Sequence, residues 1–389
     1  MAIDKRILIS GAGIAGLTLT YWLAKRGFGV ELVEKRVDLA DEGYMIDFYG
    51  SGFDVAERMG LIEHLSQKHV PVPRLEFVDR GGRVQASFNV ERFRKLLGYR
   101  HFNFLRGDLA AVLYKHTHRA APIRFGSVIK RMRGKSDGVE ATFSDGAEGT
   151  YSLVIGADGA RSDLRELEWV SGAVHERFLG FYVCCGIIKN FIGGGNAFLA
   201  RQEPGRLAAL YPVRDGKLAV FFVFASGQQG RLTRAEQQTM VEDAFAGVGW
   251  VVPRVLEAMR DVREFYYDAV SQRELDFWHK GRVAFVGDAC QDLSLLSGQG
   301  ASLAMAGAYV LAEELERSRG DHEAAFAAYE AAMKPEIMKR QLQARKFAAA
   351  FVPESRLALR VRNLFMKALF LPGFRSLFLR SIGAESIMR

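Results

Sequence analysis

A chain of 389 residues, 49% hydrophobic and 25% charged, has ordinary globular composition and the length for roughly two or three domains, which excludes a disordered protein. The net charge of +8 favours anionic partners such as phosphates or acidic lipid surfaces, but no nucleic-acid module or dense basic tract accompanies it, which argues against nucleic acid. The three cysteines, Cys184 and Cys185 adjacent and Cys290 far away, give neither a disulfide framework nor metal-ligand spacing, so a reducing cytoplasm and no bound metal are expected.

The first residues, MAIDKR, run into a short apolar stretch ending on glycines, without the longer apolar region and cleavage site of a signal peptide. No run of about 18 apolar residues follows anywhere, so no membrane span is expected. ILISGAGIAGLTLTYWLAKRG predicts a strand, a tight turn and a helix. Gly11 permits the turn, Gly13 lets backbone amides approach a pyrophosphate without a Cβ in the way, and Gly16 lets the helix close on the strand. With Ala12, Ile14 and Ala15 between them, these residues form a cofactor-binding candidate facing the positive end of a helix. Glu34 ends VELVEK, about where a carboxylate would accept the hydroxyl protons of an adenosine ribose, and Lys35 follows it in the same candidate set. An acid there disfavours a 2'-phosphate at this site. The motif alone leaves NAD and FAD open.

EGYMIDFYGSGFDVAERMGLIEHL reads as a strand, a glycine turn and a helix ending at Gly60, and LEFVDRGGRVQASF as a hairpin turning at Gly81 and Gly82. A helix from near Arg106 carries Leu109, Val112 and Leu113 on one face, before strands in IRFGSVIKRMRG, GVEATFSDG and TYSLVIGADG. Between Phe178 and Ser226 the segments FYVCCGII, AFLARQ, LAALYPV and LAVFFVFA predict an antiparallel sheet inserted between α/β halves. A helix at RAEQQTMVEDAFAG, a strand at RVAFVGDA and a helix from GQGASLAMAGA follow. The expected fold class is α/β. A discontinuous Rossmann-like nucleotide domain comprises 1–71, 101–176 and 271–320, an inserted antiparallel-sheet substrate domain 72–100 and 177–270, and a C-terminal helical segment 321–389.

Two further segments end predicted strands with acids. YSLVIGADGARSDLR places Asp158, and RVAFVGDACQDLSLLSGQGAS places Gly287 and Asp288, at carboxyl ends of strands, where open α/β sheets bind ligands. Asp288 is placed to accept hydroxyl protons from a ribityl chain. The amides of Gly298, Gln299, Gly300, Ala301 and Ser302 would point from a helix N-terminus over the sheet edge, where a positive helix end favours the negative charge of a reduced flavin. Helix-capping turn acids are the alternative for Asp158 and Asp288.

GAGIAG, VIGADGARSDLR and VGDA...GQG, in that order and spacing, resemble the FAD-dependent aromatic hydroxylases, the flavoprotein monooxygenases related to para-hydroxybenzoate hydroxylase. The likeness is greatest to their tetracycline-inactivating and polyketide-tailoring members and runs from Lys5 to about Gly320. The resemblance implies FAD as cofactor, NADH or NADPH as a transient reductant, and O2 adding at flavin C4a to give a hydroperoxide. That species would hydroxylate a phenolic, polyketide or tetracycline-like small molecule. It also implies that Arg106, opening an R..L...L helix with Leu109 and Leu113, reaches the ribityl or phosphate region, and that Met45 and Asp47 lie near the ring. Gln291 and Leu295 stand where the family carries His and Pro in GDAAH...P..GQG, which makes Leu295 a candidate at the substrate side of the flavin. No catalytic side chain is assigned, since positioning and solvent exclusion carry this chemistry. A flavin-dependent reductase or dehydrogenase of a lipid-like substrate, and a flavoprotein that sequesters a drug without turnover, are the alternatives.

Substrate contacts are expected from the inserted sheet, whose period of two puts alternate residues over the flavin. Phe222 and Phe224 share one face, as do Phe198 and Ala200, while Arg201 takes the opposite face of its strand. The pattern does not set which face looks inward, and ordinary sheet core is the alternative for these phenylalanines. Near the C-terminus, Leu357, Val361, Leu364, Phe365 and Ala368 recur at helical spacing, with Arg356, Arg360, Arg362 and Lys367 on the remaining surface. A helix pair across the domain junction, broken at Pro372, is expected, with peripheral contact to an anionic membrane as the alternative.

Overall fold

The computed structural model describes residues 6–39, 44–167, 173–193, 195–263, 265–361 and 386–387. The chain begins with β1 (Arg6–Ser10), α1 (Ile14–Lys25), β2 (Gly29–Glu34), β3 (Met45–Tyr49), α2 (Ser51–Arg58) and α3 (Ile62–Ser66). The hairpin β4 (Arg74–Val78) and β5 (Val84–Asn89), then α4 (Val90–Leu96), β6 (His101–Leu105) and α5 (Arg106–Thr117) follow. Next come β7 (Ile123–Phe125), β8 (Ile129–Gly134), β9 (Val139–Phe143), β10 (Glu148–Tyr151), β11 (Leu153–Gly156) and α6 (Asp163–Glu166). The strand-rich region holds β12 (Val174–Lys189), β13 (Ala197–Glu203), β14 (Arg206–Val213) and β15 (Lys217–Ala225). After α7 (Arg234–Phe245) and α8 (Val252–Arg260) come β16 (Tyr266–Leu275), β17 (His279–Lys280), β18 (Val283–Phe285), α9 (Gly300–Arg317) and α10 (His322–Phe351).

A six-stranded sheet of order β17-β18-β11-β1-β2-β7 forms the nucleotide half. Its central pairs are parallel, and only β17 runs antiparallel. The continuous apolar runs ILI and LVI reflect burial on both faces, as parallel sheets require, with α1 packed against α5 and α9. The loops after β1, β2, β11 and β18 leave this sheet at the same edge, because parallel strands end together.

The second sheet has seven strands in the order β16-β12-β15-β14-β13-β4-β5. It is mixed rather than purely antiparallel, since β4 pairs in parallel with β13. The hairpin joins from a distant part of the chain, so no tight turn imposes antiparallel pairing at that edge. One face (Tyr182, Cys184, Leu210, Val220) packs against Val241 and Phe245 of α7 and Val255 of α8. The other (Val183, Cys185, Leu207, Ala209, Val223) packs against Leu296 in the loop before α9 and Ala348 near the end of α10. The second face is therefore the one turned toward the nucleotide half.

No helix among the described residues is long and apolar enough to cross a membrane. Beyond α10, Leu357 and Val361 are 71% and 60% exposed, so these two members of the expected apolar stripe are not packed. Arg362, Leu364, Phe365, Lys367, Ala368 and Pro372 lie outside the described residues.

Candidate functional site

The turn after β1 is shaped by close packing. Gly11 has φ 106°, and a Cβ there would lie 2.5 Å from the Ala157 carbonyl oxygen; a Cβ on Gly16 would lie 1.9 Å from the Gly11 carbonyl oxygen. Gly13 differs, because a Cβ would meet nothing within 4 Å. It is the N-cap of α1, which has neither a side-chain cap nor an acid in its first turn. An uncapped helix N-terminus facing open space is suited to an anionic group. At the end of β2, the Glu34 carboxylate accepts the Ala12 amide at 2.8 Å and the Arg36 amide at 3.0 Å, which holds it beside the turn. Lys35 forms a half-exposed pair with Asp163 at 3.6 Å.

The loops after β11 and β18 come to the same place. Asp158 is in contact range of the first turn, as a Cβ on Gly11 would lie 2.9 Å from its Cα. Its Oδ2 accepts the Leu164 amide at 3.1 Å, so it does cap α6, yet its Oδ1 is buried without a hydrogen-bond partner. Burial raises its pKa. A buried acceptor left over next to the glycine turn fits a ligand hydroxyl. Gly287 abuts α1, where an added Cβ would lie 2.6 Å from Cβ of Ala15, and a Cβ on Gly300 would lie 3.6 Å from Oδ1 of Asp288. Arg165, which the sequence reading did not single out, lies under this loop and donates to the Ala289 carbonyl at 2.7 Å.

The far end of the site is built by β3, β6 and the start of α9. Asp47 pairs across the two strands with Asn103, and Tyr49 with His101. The Asp47 side chain is 54% accessible although its partner His101, 3.1 Å away, is fully buried, so the carboxylate faces an opening from a buried wall. Burial works to raise its pKa, but the bonds from His101 and Asn103 outweigh it and the carboxyl titrates below its usual range. The Tyr211 hydroxyl accepts the Met45 amide at 2.7 Å and so joins the second sheet to β3. The Ser302 hydroxyl donates to the Tyr49 carbonyl at 3.0 Å, and a Cβ on Gly52 would lie 2.6 Å from Cα of Ser302, so α2 and α9 touch. Gly298 adopts φ 65° just before Gln299, the N-cap of α9, whose Oε1 accepts from Arg340 at 2.6 Å. Ala301 packs on the main core, and Arg106 opens α5 with its amide on the Tyr44 carbonyl at 2.9 Å.

Of the substrate-side candidates, Phe198 and Leu295 pack against the inward face of the seven-stranded sheet, with Phe198 stacked on Tyr211 at 5.3 Å. Phe222 and Phe224 correct the sequence expectation: they lie on the helix-covered face, with Phe222 stacked on Phe245 at 4.4 Å. Strand parity is the reason, since Phe221 and Val223 take the inward positions of β15. Tyr49, His101, Asn103, Arg165, Tyr211 and Arg340 were not foreseen. The β3–β6 register would have revealed His101 and Asn103, whereas no local signal marks Arg340.

The cradle thus has an uncapped helix N-terminus and a ribose-type acid at one end, and a second helix N-terminus walled by polar residues at the other. That chemistry fits a dinucleotide with a ring at the α9 end. The profile of the FAD binding domain family matches residues 4–339. Over 360 residues the chain is 34% identical to a flavin-dependent monooxygenase of an unknown prokaryotic organism, with 91% of each covered. It belongs to the FAD-dependent monooxygenases. The flavoprotein is also 33% identical over 340 residues to a flavin-dependent monooxygenase of Legionella longbeachae, with 86% of each covered. Its fold matches the crystal structure of tetracycline destructase Tet(55) with a TM-score of 0.87 at 30% identity, covering 100% of both chains. The flavoprotein is therefore an oxidoreductase with FAD as cofactor and NAD(P)H as the reductant typical of its family.

Proposed function

We propose that this flavoprotein hydroxylates an electron-rich ring or enol of a planar, polyketide-like or tetracycline-like small molecule. The supporting observation is the aromatic inward face of the seven-stranded sheet, where Phe198, Phe221 and Tyr266 pack in one cluster with Leu295, and Tyr211 stacks on Phe198. Planar rings suit a wall that offers stacking surface. The amides of residues 11–16 hold the pyrophosphate, Glu34 the adenosine ribose, and Arg106, Asp158 and Asp288 the ribityl and phosphate region. Residues 298–302 take the ring, with Met45 and Asp47 beside it.

When bound, FAD would supply the two-electron chemistry by which NAD(P)H and O2 put one oxygen atom into the substrate and release the other as water. The chain's own residues hold the cofactor, orient the substrate against Phe198 and Leu295, and exclude water with the packed sheet face. The domain boundaries 1–71, 101–176 and 271–320 against 72–100 and 177–270 belong to the same reading. So does a reducing cytoplasmic setting, supported by Cys184, Cys185 and Cys290 as buried free thiols. Peripheral contact with an anionic membrane is supported by exposed Leu357 and Val361 beside Arg356 and Arg360.

The test is a substrate screen with purified, FAD-loaded protein, following NAD(P)H oxidation, O2 uptake and product mass together. The expected product gains one oxygen atom. A reduced product without new oxygen selects the reductase alternative, and stoichiometric drug protection without NAD(P)H consumption selects sequestration.

A further inference from the structure

We infer that Arg340 of α10 is a positioning residue of the flavin site: it fixes Gln299 at the N-terminus of α9 and supplies buried positive charge that favours the reduced cofactor. The inference rests on the placement of the ring at that helix end proposed above. Arg340 lies one residue beyond the 4–339 span that the family profile matches, on the segment C-terminal to the nucleotide half.

Arg340 is 5% exposed and Gln299 8% exposed, so their 2.6 Å hydrogen bond is shielded from water. A guanidinium has donors and no acceptor, so the Gln299 atom facing it must be the amide oxygen. The amide nitrogen is then turned the other way, and Gln299 makes its second side-chain bond to Tyr49. Tyr49 in turn is held through its carbonyl by the Ser302 hydroxyl at 3.0 Å. Arg340 thereby ties β3, the start of α9 and α10 into one unit, and its orientation sets that of the N-cap side chain. Its Nε bonds Glu336 at 3.2 Å, and the Glu336 side chain is 26% exposed, so water screens that carboxylate more than the guanidinium.

The charge has a direction as well. Asp47 stands on the Tyr49 side of the site and Asp288 beside Gly300, so two carboxylates flank the positive end of α9. Two-electron reduction adds negative charge to an isoalloxazine, which those carboxylates oppose. Arg340 offsets them from behind Gln299, in a setting where burial makes the interaction stronger than at the surface.

The experiment compares FAD-loaded wild type with Arg340→Met, Arg340→Lys and Gln299→Leu. The readouts are the FAD dissociation constant, the visible spectrum of the bound flavin, and its two-electron potential by dye equilibration. Arg340→Met is expected to lose about tenfold in preference for reduced over oxidised FAD, a fall of about 30 mV. Arg340→Lys keeps the charge and restores most of the potential while weakening FAD binding several-fold through loss of the planar fork. Gln299→Leu weakens FAD binding with a smaller change in potential. An Arg340→Met holoenzyme with wild-type potential and spectrum overturns the inference. Should that variant fail to fold, wild-type affinity and spectrum in both Arg340→Lys and Gln299→Leu overturn it instead. A wild type that takes up no FAD refutes the ring placement itself, and this inference with it.

Discussion

The Glu34 carboxylate accepts the backbone N–H of Ala12 across the first turn at 2.8 Å, so one acid at the end of β2 shapes the turn and, in the proposed site, also holds the adenosine ribose. Glu34→Ala is expected to raise the FAD dissociation constant at least tenfold and to lower the stability of the FAD-free protein by roughly 1–3 kcal/mol, the cost of an amide bond to a charged acceptor. Flavin fluorescence titration and urea unfolding measure the two effects. Wild-type values in both assays contradict this dual role.

Gly13 and Gly16 separate ligand space from packing space. Gly16→Ala puts a Cβ 1.9 Å from the Gly11 carbonyl oxygen and is expected to destabilise the protein with or without FAD. Gly13→Ala meets open space, so the FAD-free protein should melt within a degree or two of wild type, while FAD affinity falls sharply. Equal losses of stability in the two variants count against a phosphate at Gly13.

The two faces of the seven-stranded sheet predict opposite phenotypes. Phe222→Ala empties a fully buried site against Phe245 and is expected to cost about 3–5 kcal/mol with KM unchanged in the surviving fraction. Phe198→Ala, on the inward face, should raise KM for a planar substrate and cost less stability. Steady-state kinetics alongside thermal melts decide between them.

Asp292 is held protonated to about pH 7 by its burial and by the nearby Asp288, against the opposing pull of Arg273, with which it pairs at 2.9 Å. Because this pKa is raised above the unfolded value, the folded state binds the extra proton, and stability falls as pH rises from about 4 to 7. The expected result is a melting temperature that declines across that window in wild type and declines less in Asp292→Asn. A parallel decline in both rules out Asp292 as the source.

Removing all residues after Val352 tests the basic C-terminal segment. Co-sedimentation with anionic liposomes should fall in the truncated protein and should fall in wild type on adding salt. Equal sedimentation of the two proteins argues against membrane docking through this segment.

Much of the nucleotide half was legible because its signals are local. A strand ending on GAGIAG, and acids at the ends of LVIG and VAFVG, each place a loop at a sheet edge without knowledge of the rest of the chain. The inward face of the second sheet was not legible, since alternation defines two faces and only α7 and α8 decide which one is covered. Phe222 and Phe224, substrate-side candidates on a face that alternation left open, lie on the helix-covered side. The parallel pairing of β4 with β13 and the reach of Arg340 to Gln299 depend on contacts between remote segments, which leave no periodic trace.

The hairpin β4–β5 completes the seven-stranded sheet although it is encoded between β3 and β6, two strands that pair in a separate sheet. Recombination between relatives therefore cannot transplant this sheet as one contiguous cassette: a single crossover would leave a hairpin of one parent docked on the edge strand of the other. Under the proposed function, changes in substrate preference are more readily reached by point substitution on the inward face than by exchange of whole gene segments.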